Sequence, residues 1–131
     1  QDTPGVVWRG RLNSADLRRE FQTANLFTYP TTFCETSCRA AIRAMACGCL
    51  PVYRPLAALD ETIGPLGRAV PGDPGDPAYL RAFADAVAKA MFNPPTTEER
   101  RALSEDVIAR HLPWATWRVV AGLERTVEVG A

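Results

Sequence analysis

The stretch from Asn25 to Val52 constrains the fold more than any other, because it joins two short apolar runs through a helix made mostly of small residues. "NLFTYP" and "CLPVYR" each have the length and β-branched or aromatic content of a buried strand. Between them, the residues from Ser37 to Cys47 place alanine, isoleucine and methionine at helical spacing, and Gly48 stands where a helix ends in a left-handed residue. Strand, helix and strand at this spacing close as a right-handed crossover between parallel strands. The small side chains let that helix lie tight against the sheet, while Pro30 stops the first run from continuing as a central ladder.

The flanking sequence extends this pattern. "GVVWRG" predicts a short buried strand from Val6 to Arg9, followed by a helix capped by Asn13 or Ser14 with Leu17 and Phe21 on its core face. "RPLAALDET" predicts a loop and a short helical turn, and "GRAVPG" a weak further strand. "PGDPGDP" is a turn-rich connector whose Asp76 and Pro77 suit the cap and first turn of a helix ending near Asn93, with Leu80, Phe83, Val87 and Met91 inward. Thr96 and Glu99 form a capping box for another helix that carries Leu103, Val107 and Ile108 inward. Pro113 predicts the start of one more, bringing Trp114 and Trp117 to the core. The expected fold class is therefore α/β: a partial Rossmann-like parallel sheet with flanking helices. Residues 1–131 form a single incomplete domain, and 94–131 are its C-terminal helices.

Composition excludes several functions. Fifteen acidic and fifteen basic residues cancel, so the chain lacks the basic footprint of a nucleic-acid binder. No apolar run reaches the ~18 residues that would predict a membrane span. Fourteen of the fifteen basic residues are arginine, which reads first as genome composition rather than as a bias toward phosphate. Cys34, Cys38, Cys47 and Cys49 lack the paired spacings of a zinc site and read as free thiols packed in a reduced interior, which points to the cytoplasm. A chain that begins at Gln1 without methionine is expected to be a piece of a longer protein.

Chemistry is expected where parallel strands end and helices begin, since free amides there point into a crevice. One such place lies after Gly10. The better one is "TTFCETSC", which sets Thr31, Thr32, Glu35, Thr36 and Ser37 around a helix start suited to a sugar or a phosphate. Glu35 can act there on a ligand, or it can complement the helix dipole and begin an ion-pair ladder with Arg39 and Arg43 at four-residue steps. An arginine in a first helical turn needs an anion nearby, and either Glu35 or a ligand phosphate meets that need. His111, the only histidine, sits near a helix end where a structural role suffices. The acids of "GDPGD" read as turn formers rather than metal ligands.

The residues Tyr29-Pro30-Thr31, Glu35, Ala44-Met45-Ala46-Cys47-Gly48-Cys49 and Pro51-Val52 carry a resemblance. Here the chain resembles the carboxyl-terminal, donor-binding domain of retaining GT-B glycosyltransferases of the group 1 type, which include glycogen and sucrose-phosphate synthases. In that family a strand ends in Pro-Ser or Pro-Thr, a glutamate opens the next helix, a second glutamate stands eight residues later, and Ala-Met-Ala-x-Gly-x-Pro-Val follows. The likeness is strong over residues 25–52 and looser elsewhere, with Glu61 in the usual acidic place and "HLPWATW" in the region of the terminal helices.

The resemblance implies a cytoplasmic, metal-independent glycosyltransferase that needs no cofactor and takes its sugar from a nucleotide-diphosphate sugar. Glu35 is the implied catalytic residue near the transferred sugar, and Thr31, Thr36, Ser37, Cys38, Arg39 and Arg43 are the implied donor-binding residues. The implied partners are the donor, an acceptor and an amino-terminal domain that this sequence does not include, without which the isolated chain is expected to be inactive. Arg43 stands where the second glutamate would accept two ribose hydroxyls, and arginine has donors only. A non-catalytic module that binds a nucleotide sugar or phosphate, or serves as an interaction partner, is the alternative that this substitution raises.

Overall fold

The computed structural model describes the backbone of residues 3–120 and the side chains through residue 111. The order of elements is α1 (Ser14–Thr23), β1 (Leu26–Tyr29), α2 (Arg39–Ala46), β2 (Leu50–Tyr53), α3 (Leu59–Ile63), β3 (Arg68–Ala69), α4 (Pro77–Phe92) and α5 (Thr97–Val120). The three strands form one parallel sheet in the order β1-β2-β3, with Leu26 opposite Leu50, Tyr29 opposite Tyr53 and Val52 opposite Arg68. This is the mixed α/β architecture expected, with helices flanking a small sheet.

β2 is central and every one of its residues is buried, which is why it reads as a continuous apolar run. It nevertheless contains Pro51. Leu50 and Arg54 give their amides to Asn25 and Tyr29 on the β1 side, whereas the carbonyl of Tyr53 takes the Val70 amide on the β3 side. Alternation puts Pro51 on the Tyr53 side, at a level where β3 has not begun, so its missing N–H leaves no partner unsatisfied.

α2 is the short helix of small residues, with Ala41, Ala44 and Met45 fully enclosed. It packs on β2 and on α1, α3 and α5. Its end is a complete Schellman motif: Gly48 N–H meets the Met45 carbonyl at 2.8 Å and Cys49 N–H meets that of Ala44 at 3.0 Å, with Gly48 at φ +81°. Met45, Val52, Leu59, Ile63, Leu103 and Val107 dominate the core, where each large aliphatic side chain contributes about 1.5–3 kcal/mol on burial.

α5 closes this side of the fold through two arginines. The Arg100 guanidinium donates to the Ala24 carbonyl at 3.1 Å, to Asn25 Oδ1 at 2.8 Å and to the Cys47 carbonyl at 3.3 Å, while Ser104 Oγ caps the Ala46 carbonyl at 2.9 Å. Further along the same helix, Arg110 donates to the carbonyls of Glu61, Thr62 and Ile63 at the end of α3 and pairs with Asp106 at 2.8 Å. Each cation meets the carbonyl end of a helix, where the dipole favours it. Each also lies against a left-handed glycine: a Cβ on Gly48 would approach Arg100 Cβ to 3.0 Å, and one on Gly64 would approach the Arg110 guanidinium to 2.9 Å.

Several sequence expectations are corrected. Val6 to Arg9 form no strand, and Trp8 is 92% exposed, because no neighbouring strand offers these residues a ladder. In α4 the inward stripe runs through Tyr79, Phe83 and Ala90, so Leu80 and Met91 face outward, as does Ile108 on α5. α5 runs unbroken past Pro113, so 94–131 does not open a separate helix there; proline removes one amide bond without ending the helix. The placement of Trp114 and Trp117 in the core, and everything expected of 121–131, lies outside the described residues. Asn13, Asp76 and the Thr96–Glu99 capping box all form as expected. Among the described residues no helix is long and apolar enough to cross a membrane.

Candidate functional site

The carboxyl ends of the three strands meet at one rim, and the loops leaving them are knitted together there. Tyr29, the last residue of β1, donates its hydroxyl to Glu35 Oε1 at 2.7 Å. The Glu35 carbonyl takes the amide of Ala58, in the loop after β2, at 3.2 Å. Ala57 beside it is held at φ +52°, the only non-glycine residue with positive φ among those described. Such a conformation costs on the order of 1 kcal/mol and clusters where geometry serves a site. Glu35 is thus pinned at both its side chain and its backbone.

That pinning corrects the expected helix start. α2 begins at Arg39, two residues later than Ser37, and Cys38 is its N-cap without a side-chain cap bond. Glu35 lies in the loop before the helix, α2 has no acid in its first turn, and none of the four ion pairs among the described residues involves Glu35, Arg39 or Arg43. Neither the dipole-complementing role nor the ion-pair ladder forms. Arg39 and Arg43 are exposed on α2, one turn apart, and Arg43 reaches its last turn.

The structure brings together Thr31, Glu35, Cys38 and Tyr29. Hydrogen bonding to Glu35, then burial, raises the Tyr29 hydroxyl above its ordinary 10.0, while the Thr31 hydroxyl partly offsets this. Tyr29 therefore stays protonated and holds Glu35 as an acceptor. Burial raises the Cys38 thiol above its ordinary 9.0 although the Ala41 and Ala40 amides favour its thiolate, so this cysteine behaves as a buried apolar group. Thr31 uses its hydroxyl to accept the Phe33 amide at 2.9 Å. Thr36 and Ser37 are exposed beside Glu35 without being part of the helix. Cys34 is exposed as well, unlike the other three free thiols, which flank α2 and β2 and are covered by the elements packed around them.

Sequence reading missed Arg54. It follows β2 directly, and its guanidinium donates to the Gly72 carbonyl at 2.6 Å and to the Thr31 carbonyl at 3.2 Å, tying the loop after β3 to the loop after β1. Its place one residue past a buried strand was the available signal. Gly72 lies on the ring of Tyr79, where a Cβ would come within 2.5 Å of Cδ2, and the Tyr79 hydroxyl beneath is buried without a partner.

Other candidates make only local contacts among the described residues. His111 Nε2 lies 3.3 Å from the Thr62 carbonyl, next to the Arg110 cap. Asp73 accepts the Gly75 amide at 2.9 Å as a turn former. Glu61 is exposed on α3 and lends only its carbonyl, to Arg110. Among the described residues, no group of three or more His, Cys, Asp or Glu side chains is placed to hold a metal ion. What the rim offers chemically is a fixed carboxylate acceptor, a phenol and a threonine hydroxyl, exposed hydroxyls at Thr36 and Ser37, and a guanidinium. No protein-family model and no curated protein matches the chain.

Proposed function

We propose that the chain is the donor-binding part of a retaining, metal-independent glycosyltransferase of the GT-B kind, acting on a nucleotide-diphosphate sugar. The observation that carries this reading is the position of Glu35. Its carboxylate stands at the carboxyl rim of a parallel sheet, oriented by the Tyr29 hydroxyl at 2.7 Å and anchored through its backbone carbonyl by Ala58, inside a Tyr-Pro-Thr…Glu…Ala-Met-Ala-x-Gly-x-x-Pro-Val run that has one residue more between Gly48 and Pro51 than the family's pattern.

In this reading Glu35 accepts hydrogen bonds from the hydroxyls of the sugar being transferred, and Tyr29 keeps it in place. A carboxylate that already accepts one neutral hydrogen bond retains further acceptor sites for a polyol. Thr31, Thr36 and Ser37 supply hydroxyls around it, while cations and loop amides stabilise the departing diphosphate, which is the main electrostatic demand of such a transfer. The acceptor sugar or other acceptor comes from a separate domain, so transfer requires more than this chain.

A second reading is favoured by Arg43. It stands exposed in place of the acceptor carboxylate that holds a ribose, which suits a non-catalytic module that binds a nucleotide sugar or phosphate. Calorimetric titration with uridine, guanosine and adenosine diphosphates and their sugar conjugates separates the cases. Saturable binding weakened by Glu35→Ala supports a donor site, whereas binding indifferent to Glu35 counts against it. Arg43→Glu is expected to raise nucleotide affinity about ten- to a hundredfold if the ribose contact has been lost, from the ~1.5–3 kcal/mol of a charged hydrogen bond.

A further inference from the structure

We propose that Arg54 is the cation through which this chain binds the phosphate or diphosphate group of a ligand at the carboxyl rim of its sheet. The inference rests on the donor-site reading for the place of the ligand, not for any reaction performed on it.

Arg54 follows the central strand and lies between the other two strand ends. Its backbone amide bonds the Tyr29 carbonyl at 3.1 Å, and its guanidinium reaches the Thr31 carbonyl on one side and the Gly72 carbonyl on the other. Both partners are neutral, and Arg54 takes part in none of the four ion pairs among the described residues. A guanidinium carries five N–H donors, and with one given to each carbonyl, three remain. A half-buried, uncompensated cation with its plane already fixed has lost its conformational freedom before any ligand arrives, which is the condition under which arginine binds phosphate well.

The surroundings suit the same ligand. Glu35 belongs to the same loop that Arg54 braces, where Tyr29 holds it, and the two charges do not pair with each other among the described ion pairs. The rim thus has an acceptor for hydroxyl groups and a donor for an anion, joined through one loop. A sugar phosphate or a nucleotide-diphosphate sugar presents both. Arg39 and Arg43 differ, since both are exposed on α2 and neither is held by a fixed partner among the described residues.

Two experiments on the chain test this. In the first, inorganic diphosphate and a panel of nucleoside diphosphates and their sugar conjugates are titrated into the wild type, Arg54→Gln and the exposed control Arg81→Gln. Saturable diphosphate binding that falls about ten- to a hundredfold in Arg54→Gln alone supports the proposal. Because Arg54→Gln loosens two loops and could unfold them, the second experiment uses the wild type. Phenylglyoxal modification is mapped residue by residue by mass spectrometry, with and without saturating diphosphate, and selective protection of Arg54 is expected. No diphosphate binding by the folded chain, or equal modification of Arg54 with and without diphosphate, overturns the proposal. Nucleotide-sugar binding that ignores Arg54 overturns it too while sparing the donor-site reading. Inorganic diphosphate bound through Arg54, with no gain from any nucleotide sugar, supports it and counts against that reading.

Discussion

The two ends of α2 are built by different rules. At its carboxyl end, the Schellman bonds of Gly48 and Cys49, the Arg100 guanidinium and the Ser104 hydroxyl satisfy the terminal carbonyls, and α5 covers the whole. At its amino end, Cys38 caps with no side-chain bond and the preceding residues Thr36 and Ser37 are exposed. One end is closed by protein groups. The other end is left open, and it is there that the proposed donor site draws its hydroxyls.

This contrast breaks most readily at Gly48. Gly48→Val combines a left-handed backbone with a Cβ 3.0 Å from Arg100 Cβ, and is expected to lower unfolding free energy by about 3 kcal/mol in urea titration. Arg100→Met strips charged donors from Ala24, Asn25 and Cys47, for an expected loss of about 2 kcal/mol by the same measurement. If either variant unfolds no more easily than wild type, the closed end is not what holds the helix. Changes at the other end should be far milder for stability. Thr36→Ala and Ser37→Ala are expected to stay within about 0.5 kcal/mol of wild type, with any loss appearing in ligand affinity instead.

The thiols sharpen the same comparison. Cys49, at the closed end, donates to the Phe21 carbonyl at 3.1 Å, and burial pushes its thiol up to about 11. Maleimide at neutral pH should label Cys34 first and leave Cys49 until the chain unfolds, as read by mass spectrometry. The folded state keeps this proton longer than the unfolded state, whose thiol titrates near 9.0. Stability is therefore full below pH 9 and declines as pH rises from 9 toward 11. Thermal melts that hold constant across that window would count against the enclosed thiol. Smallest of all, Ala57→Gly should stabilise slightly, by a few tenths of a kcal/mol, since glycine accepts positive φ freely but adds entropy to the unfolded chain.

Legibility in sequence followed the range of the interaction. β1, α2 and β2 were readable because apolar period, strand length and Gly48 are local signals. The caps at Asn13, Asp76 and Thr96 were readable for the same reason, each bonding within a few residues. Arg100 and Arg110 were not, because their partners lie dozens of residues away and arginine on a helix otherwise reads as a solvated face. Val6 to Arg9 misled since strand propensity has no effect without a neighbouring strand. At the site, Glu35, Thr31 and Cys38 are near neighbours because they share the loop after β1, whereas the Tyr29 and Ala58 contacts that fix Glu35 arise from β1 and from the loop after β2. Those contacts keep the chain out of the helix that the ladder required.

The reach of Arg100 also sets an order in time. It lies 53 residues after Cys47 and 76 after Ala24, the carbonyls it caps. A ribosome adding ~5–20 residues per second needs roughly 3–10 s to make the interval after Cys47. Through that interval the crossover unit of β1, α2 and β2 exists without its clasp. The part of this protein most legible in its sequence thus waits, in biosynthesis, for a bond supplied from far downstream.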